Sequence, residues 1–244
     1  MPKSFFIDTS RCTACRGCQI ACKEWNELPA NKTRQWGSHQ NPPDLNANNY
    51  KLVRFREYLV KETVTWYFFQ DQCRHCLEPP CKDTIESYVD GAVVKDKVTG
   101  AVVYNNKTKK APFEEVRASC PYNIPRQAAD GSIVKCTMCN ERVTRGLLPA
   151  CVKVCPTGTM NFGERQEMLD LARKRLAEVQ KTHPKALLAD AESVSVIYLL
   201  VDEPMKYHQF AVAQRSGDLS RKQFLAQTFA PIRRRVERIG QIKS

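Results

Sequence analysis

Eleven consecutive residues near the amino terminus, Cys12-Thr-Ala-Cys15-Arg-Gly-Cys18-Gln-Ile-Ala-Cys22, carry four thiols at gaps of two, two and three. Three thiolates this closely spaced can grip three irons of one iron–sulfur cube, while the fourth, one helical turn further on, reaches a neighbouring cube. A structural zinc site presents its cysteines as two separated pairs, which this run does not. The chain holds twelve cysteines in 244 residues. In a small secreted scaffold that density would indicate disulfides; here the spacing indicates metal clusters.

The run is the one bacterial ferredoxins use, and it recurs in altered form. Cys136-Thr-Met-Cys139 is followed, after eleven residues, by Cys151-Val-Lys-Val-Cys155-Pro156. The gap of three survives, and Pro156 ends the ligand helix because it lacks an N–H and restricts the residue before it. The two middle groups are incomplete. Cys73-Arg-His-Cys76 and Cys81 give three ligands, and the place of a fourth is taken by Ile85. Cys120-Pro121 has the ending of a motif, but counting back along it gives Val116, Phe113 and Lys110.

In a two-cluster ferredoxin the fourth cysteine of one motif serves the cluster of the other. Pairing the outer motifs assigns one 4Fe–4S cluster to Cys12, Cys15, Cys18 and Cys155, and a second to Cys136, Cys139, Cys151 and Cys22. Pairing the inner motifs assigns a third to Cys73, Cys76, Cys81 and Cys120. The absent ligands, at Ile85, Lys110, Phe113 and Val116, all belong to one fourth cube. No cysteine is left over.

This pairing implies an α+β fold of two ferredoxin-like modules, one inserted in the other, with a C-terminal helical extension. Residues 1–61 with 131–165 form the outer module, carrying two clusters and an insertion at 31–61. Residues 62–130 form the inner module, with one cluster and one lost site. Residues 166–244 form the extension and a basic docking tail. Strands are expected at Ser4–Asp8, Tyr50–Val60, Val64–Gln70 and Val194–Val201, and a hairpin over Ala92–Val94 and Ala101–Tyr104. Helices are expected at 18–28, at Ala111–Ala118 behind Pro112, and at 164–181 with Leu169, Ala172, Leu176 and Val179 on one face. In the tail, Leu225, Phe229, Ile232, Val236 and Ile239 recur at spacings of four and three, and Pro231 interrupts a single helix. It reads either as an arm for a partner subunit or as a helix packed on its own domain.

The formal charge of +12 counts every cysteine as a neutral thiol. Three oxidised cubes with deprotonated ligands subtract about 6 from it, so the basicity does not by itself point to nucleic acid. The longest apolar run, Val196–Val201, is far short of the roughly 20 residues of a spanning helix, and Met1–Ser10 lacks the apolar stretch of a leader. No dinucleotide or Walker glycine motif and no haem-attachment motif occurs. No catalytic site of its own is expected; the chemistry is one-electron transfer. His75 reads as a spacer, with a hydrogen bond to cluster sulfur as the alternative. His39, His183 and His208 read as structural or surface residues. Lys135 reads as a solvated lysine, with tuning of a cluster potential as the alternative.

With these motifs the chain resembles the iron–sulfur (beta) subunits of molybdopterin-dependent oxidoreductases. The stretch from Cys12 through Glu24-Trp25-Asn26, Cys120-Pro-Tyr-Asn-Ile-Pro125, Lys-Cys-Thr-Met-Cys-Asn-Glu-Arg-Val at 135–143 and Pro-Ala-Cys-Val-Lys-Val-Cys-Pro-Thr-Gly at 149–158 resemble the formate dehydrogenase branch. The likeness covers about residues 1–165, and the chain resembles the three-cluster subunits of soluble enzymes in sulfate-reducing bacteria. It implies a heterodimer with a catalytic alpha subunit that holds molybdenum or tungsten on pyranopterin, a cofactor absent from this chain. The usual subunits of the family carry four clusters, and the membrane-bound ones a C-terminal membrane helix. The lack of both here implies that the lost cube was the terminal one and that a soluble acceptor, such as a multihaem c-type cytochrome, takes the electrons. The resemblance further implies a periplasmic location, reached bound to a Tat-tagged partner, with the cytoplasm as the alternative. The same relay could serve another molybdopterin oxidoreductase or a hydrogenase.

Overall fold

A computed structural model describes residues 2–60 and 62–213. The basic tail, with Leu225, Phe229, Ile232, Val236 and Ile239, lies outside the described residues. In chain order the elements are β1 (Lys3–Asp8), α1 (Gly17–Trp25), β2 (Leu52–Val60), β3 (Thr63–Asp71), α2 (Pro80–Glu86), β4 (Val93–Lys95), β5 (Val102–Tyr104), α3 (Phe113–Ala118), β6 (Arg126–Gln127), β7 (Ile133–Val134), α4 (Asn140–Val143), α5 (Ala150–Lys153), β8 (Met160–Glu164), α6 (Arg165–Val179), β9 (Leu187–Ala189), β10 (Val196–Leu200) and α7 (Pro204–Tyr207). The mixture of helix and strand agrees with the α+β expectation.

The largest sheet has the order β8-β1-β10-β9. Its two inner strands are buried on both faces, and the period of two in a strand sorts their side chains. Phe5, Ile7, Val196, Tyr198 and Leu200 face one core, which also receives Cys18 and Cys151. Phe6, Ile197 and Leu199 face a second core closed by Leu169, Ala172 and Val179 of α6. Each large apolar side chain fully buried in this way contributes roughly 1.5–3 kcal/mol. β1 runs antiparallel to β8, with Ile7 opposite Met160, and parallel to β10, with Phe5 opposite Val196. The chain entering the first cysteine run is thereby tied to the chain leaving the last one. The extension beyond residue 165 is not simply helical: β9 and β10 belong to this central sheet. Its expected helical face is correct, with Leu169, Ala172 and Val179 buried.

β2 and β3 pair antiparallel over nine positions, from Leu52 opposite Asp71 to Val60 opposite Thr63. Both strands are legible in the sequence, and their pairing is not. The turn lacks the Asn-Gly signature of a two-residue hairpin and places Glu62 at φ +64°. The hairpin spans the expected boundary between residues 61 and 62.

Short helices carry the remaining cysteines in a repeated way. Cys18, Cys81 and Cys151 each occupy the second residue of their helix, α1, α2 and α5. α1 packs on α5, and α2 packs on α3. Pro80 opens α2 and Pro112 precedes α3, positions where the missing N–H costs nothing. Around α2 and α3, Ile85 and Val116 are fully buried with Cys81, Ala92, Val93, Val102, Ala111 and Ile133, and Phe113 packs at the edge. Apolar side chains thus pack together around Ile85 and Val116. Lys110 differs: it is exposed at the end of a short 3-10 turn, and the neighbouring Ala111 is the buried residue.

Candidate iron–sulfur sites

All twelve cysteines are free thiols. Cys73, Cys76, Cys81 and Cys120 line one cavity of about 340 Å³ of atom-free space, partly open to solvent, walled by Pro79, Pro80, Val102 and Tyr122. Cys12, Cys15, Cys18 and Cys155 line a second, of about 300 Å³. Neither cavity is lined by a carboxylate or an imidazole. The thiols surround a volume rather than a point. Among the described residues no three Cys, His, Asp or Glu side chains stand close enough to hold a single metal ion. Such a donor set, four thiols lining one cavity, fits a cubane cluster.

Cys22, Cys136, Cys139 and Cys151 are all buried. Burial, and then the neighbouring thiols of Cys136, Cys151 and Cys139, push the Cys22 thiol well up from its ordinary range. The sets also adjoin one another. Cys151 lies within electrostatic reach of Cys18, and Cys136 within reach of Cys73. The thiols around Cys136 therefore adjoin both those around Cys18 and those around Cys73.

Three of the Cys-x-x-Cys loops, those opening at Cys12, Cys73 and Cys136, have the same backbone device. The second spacer residue is left-handed in all three: Ala14 at φ +54°, His75 at +47° and Met138 at +64°. In each, its N–H then points back at the first thiol: Ala14 N to Cys12 Sγ at 3.3 Å, His75 N to Cys73 Sγ at 3.4 Å, and Met138 N to Cys136 Sγ at 3.4 Å. A fourth amide, Ile124 N, donates to Cys120 Sγ at 3.5 Å. Non-glycine residues at positive φ are strained and persist where the surroundings enforce them. Here the strain aims N–H dipoles at atoms that become thiolates when a metal binds. No glycine marks these turns, so the sequence gives no sign of them.

Burial favours the neutral form of several of these thiols until a cation arrives. Burial and then Cys73 and Cys81 push Cys76 up to about 12. Burial pushes Cys139 to about 12, and burial with Cys139 and Cys18 pushes Cys151 to about 12, against the opposing Lys51. Cys155 shifts the other way. Burial raises it, but the backbone amides of Met160, Thr157 and Thr159 and the Thr157 hydroxyl bring it below the usual thiol range.

Several polar groups at these sites are not apparent from the motifs. Lys51 is fully buried; burial alone would lower its pKa, but Cys151 and Cys18 hold it above the ordinary lysine value. Lys135 is buried, not solvated as expected: Nζ donates to the carbonyls of Val102 and, at 3.2 Å, Cys136. His75 is more than a spacer. Its Nδ1 accepts the Val102 N–H at 3.0 Å, so Nε2 carries the hydrogen, and that atom is buried without a partner among the described residues. Burial, then Lys135 and Lys95, keeps its pKa well below the ordinary histidine value. The Tyr104 hydroxyl is likewise buried against Cys81. Gln70 donates Nε2–H to Cys12 Sγ at 2.7 Å. Among the other histidines, His208 is buried and His39 exposed.

Residues 64–165 match the model of a 4Fe-4S dicluster domain. The chain is 58% identical, over 216 residues, to a protein of Nitratidesulfovibrio vulgaris named formate dehydrogenase 2 subunit beta (cytochrome c-553), covering 86% of this chain and 99% of that one. It is 49% identical to the formate dehydrogenase subunit beta of Megalodesulfovibrio gigas, covering 87% of this chain and 100% of that one. The chain belongs to the formate dehydrogenase beta-subunit family. A more distant member is the iron-sulfur subunit of the nitrate-inducible formate dehydrogenase of Escherichia coli, 36% identical over 83% of this chain and 70% of that protein. As a formate dehydrogenase beta subunit the chain is an iron–sulfur electron-transfer protein. Among its described residues no helix is long and apolar enough to cross a membrane.

Proposed function

We propose that this beta subunit relays electrons through three 4Fe–4S clusters, between a catalytic formate dehydrogenase alpha subunit and a soluble acceptor such as a c-type cytochrome. The observation that carries the reading is the grouping of the twelve thiols: two cavities each lined by four of them, with the four remaining thiols buried. The ligand sets are then Cys12, Cys15, Cys18 and Cys155; Cys22, Cys136, Cys139 and Cys151; and Cys73, Cys76, Cys81 and Cys120. When bound, such a cluster takes up and releases one electron at a time at a potential set by hydrogen bonds, charge and burial. The protein's part is to hold the thiols, aim backbone N–H groups at them and keep the interior free of bulk water.

The nested arrangement of modules is part of the proposal. It is supported by the packing of α1 on α5 and of α2 on α3. The apolar filling around Ile85 and Val116 supports a fourth site lost beyond Cys81, and hence a relay that ends at the third cluster. The acceptor is suggested by the Nitratidesulfovibrio vulgaris relative, whose name includes cytochrome c-553. The alpha subunit supplies the molybdenum or tungsten pyranopterin, and the heterodimer is exported to the periplasm by that partner's Tat signal. Anaerobic co-purification tests the reading. A complex with about twelve iron on this chain, its visible absorption bleached by formate and restored by an oxidised c-type cytochrome, is the expected result. Clusters that formate leaves oxidised, while hydrogen reduces them, would transfer the relay to a hydrogenase.

A further inference from the structure

Two buried lysines each lie within reach of two thiol sets. Lys51, just ahead of β2, is 1% exposed; its Nζ donates to Gln72 Oε1 and lies 3.8 Å from Met160 Sδ. The cysteines within its electrostatic reach include Cys151, Cys18, Cys136 and Cys22, from the first and second sets. Lys135, just ahead of Cys136, is 5% exposed, and its Nζ lies 4.5 Å from the centroid of the Tyr104 ring. It is within reach of Cys81, of the third set, and of Cys136, of the second. Among the described residues neither ammonium has a carboxylate at ion-pair distance, whereas the buried guanidiniums of Arg54 and Arg74 share Asp71.

A buried charge is costly unless an opposite charge matches it. For Lys51 and Lys135 the matching charges are the cysteine ligands. A cube with four thiolates carries about −2 when oxidised and one negative charge more when reduced. A fixed ammonium therefore favours the reduced form, and in a poorly screened interior the effect falls with distance.

We propose that Lys51 and Lys135 set the reduction potentials of the three clusters in pairs, each ammonium holding up the two clusters that flank it, so that the middle cluster is held up by both. The inference rests on the three-cluster reading. Arg74, near Cys73, is matched by Asp71, and Lys95, near Cys76, is only half-buried. Neither stands between two sets, so neither links two clusters.

The test is a dye-mediated potentiometric titration, followed by EPR, of the anaerobically purified complex of the full chain with its catalytic subunit. Iron and labile sulfide are counted first on this chain in the unaltered complex, the catalytic subunit's own content subtracted; a count on this chain other than three clusters overturns the function reading and is separate from the outcome here. In Lys51→Met two of three midpoint potentials fall and the third stays. In Lys135→Met two fall, and only one of these is shared with the first variant. Lys51→Arg and Lys135→Arg return the potentials toward their original values. Should a methionine variant lose iron, Lys51→Gln or Lys135→Gln replaces it, keeping a polar end against Gln72 or the Val102 carbonyl. Unchanged potentials at full iron content, or an equal fall in all three clusters, overturns the proposal.

Discussion

The side-chain amide of Gln70 donates to the sulfur of Cys12 at 2.7 Å, across 58 positions of sequence. Strand β3 thus reaches into the cavity built by the first cysteine run. Replacing Gln70 with Leu removes an N–H that favours the more negative, reduced cluster. A hydrogen bond to a charged acceptor is worth about 1.5–3 kcal/mol, which corresponds to a fall of roughly 60–130 mV for a one-electron couple. Redox titration of the variant should show one cluster shifted down and the other two in place.

Cys120 supplies the fourth thiol to the cavity of Cys73, Cys76 and Cys81. Cys120→Ser should lower the iron content from about twelve to about eight per chain, or convert one cluster to a three-iron form with its own EPR signal. The signals of the two other clusters should persist. Their disappearance, with the third intact, would show the ligand sets to be wrongly paired.

Ile85 is fully buried in an apolar cluster with Val116 and Cys81. Trimming it to alanine should destabilise the chain by about 2–4 kcal/mol, from lost burial plus an unfilled cavity. The midpoint of chemical denaturation should fall while the iron content of the native complex is unchanged.

Asp71 lies between two buried guanidiniums, 2.8 Å from Arg54 Nε and 3.3 Å from Arg74 Nη1. Arg74 is in turn boxed by the rings of Tyr198, Phe69 and Tyr122 at 4.6, 5.0 and 5.0 Å. Asp71→Ala leaves both cations in the interior without their shared partner. A loss of about 3–5 kcal/mol is expected; an unaltered denaturation curve would show that the network does not hold the fold.

Burial pushes His208 down to about 4 from an ordinary value of 6.5. The folded pKa is the lower one, so between these two values the unfolded chain binds more protons and stability falls as pH falls. From pH 7 to pH 5 the loss is about 2 kcal/mol, growing until the folded imidazole also protonates near pH 4. The denaturation midpoint of His208→Phe should fall less over this interval than that of the unaltered chain. Equal falls in both would place the pH dependence elsewhere.

The sequence by itself determined the metal chemistry, because the gaps within Cys12–Cys22 and Cys151–Cys155 are local distances along the chain, set by loops and single helical turns. It also determined the strand at 196–200 and the apolar face of α6, since burial on a strand or a helix leaves a period. Tertiary structure alone decided which strands meet. Nothing in the residues of β2 and β3 announces their nine-residue pairing, and β10 lies beside β1 although nearly the whole described chain separates them. It also decided the surroundings of the thiols. Lys51 and Lys135 have the composition of surface residues and become buried cations only when distant segments close over them. The left-handed turns at Ala14, His75 and Met138 carry no glycine, because there the fold, rather than side-chain preference, enforces the strained backbone.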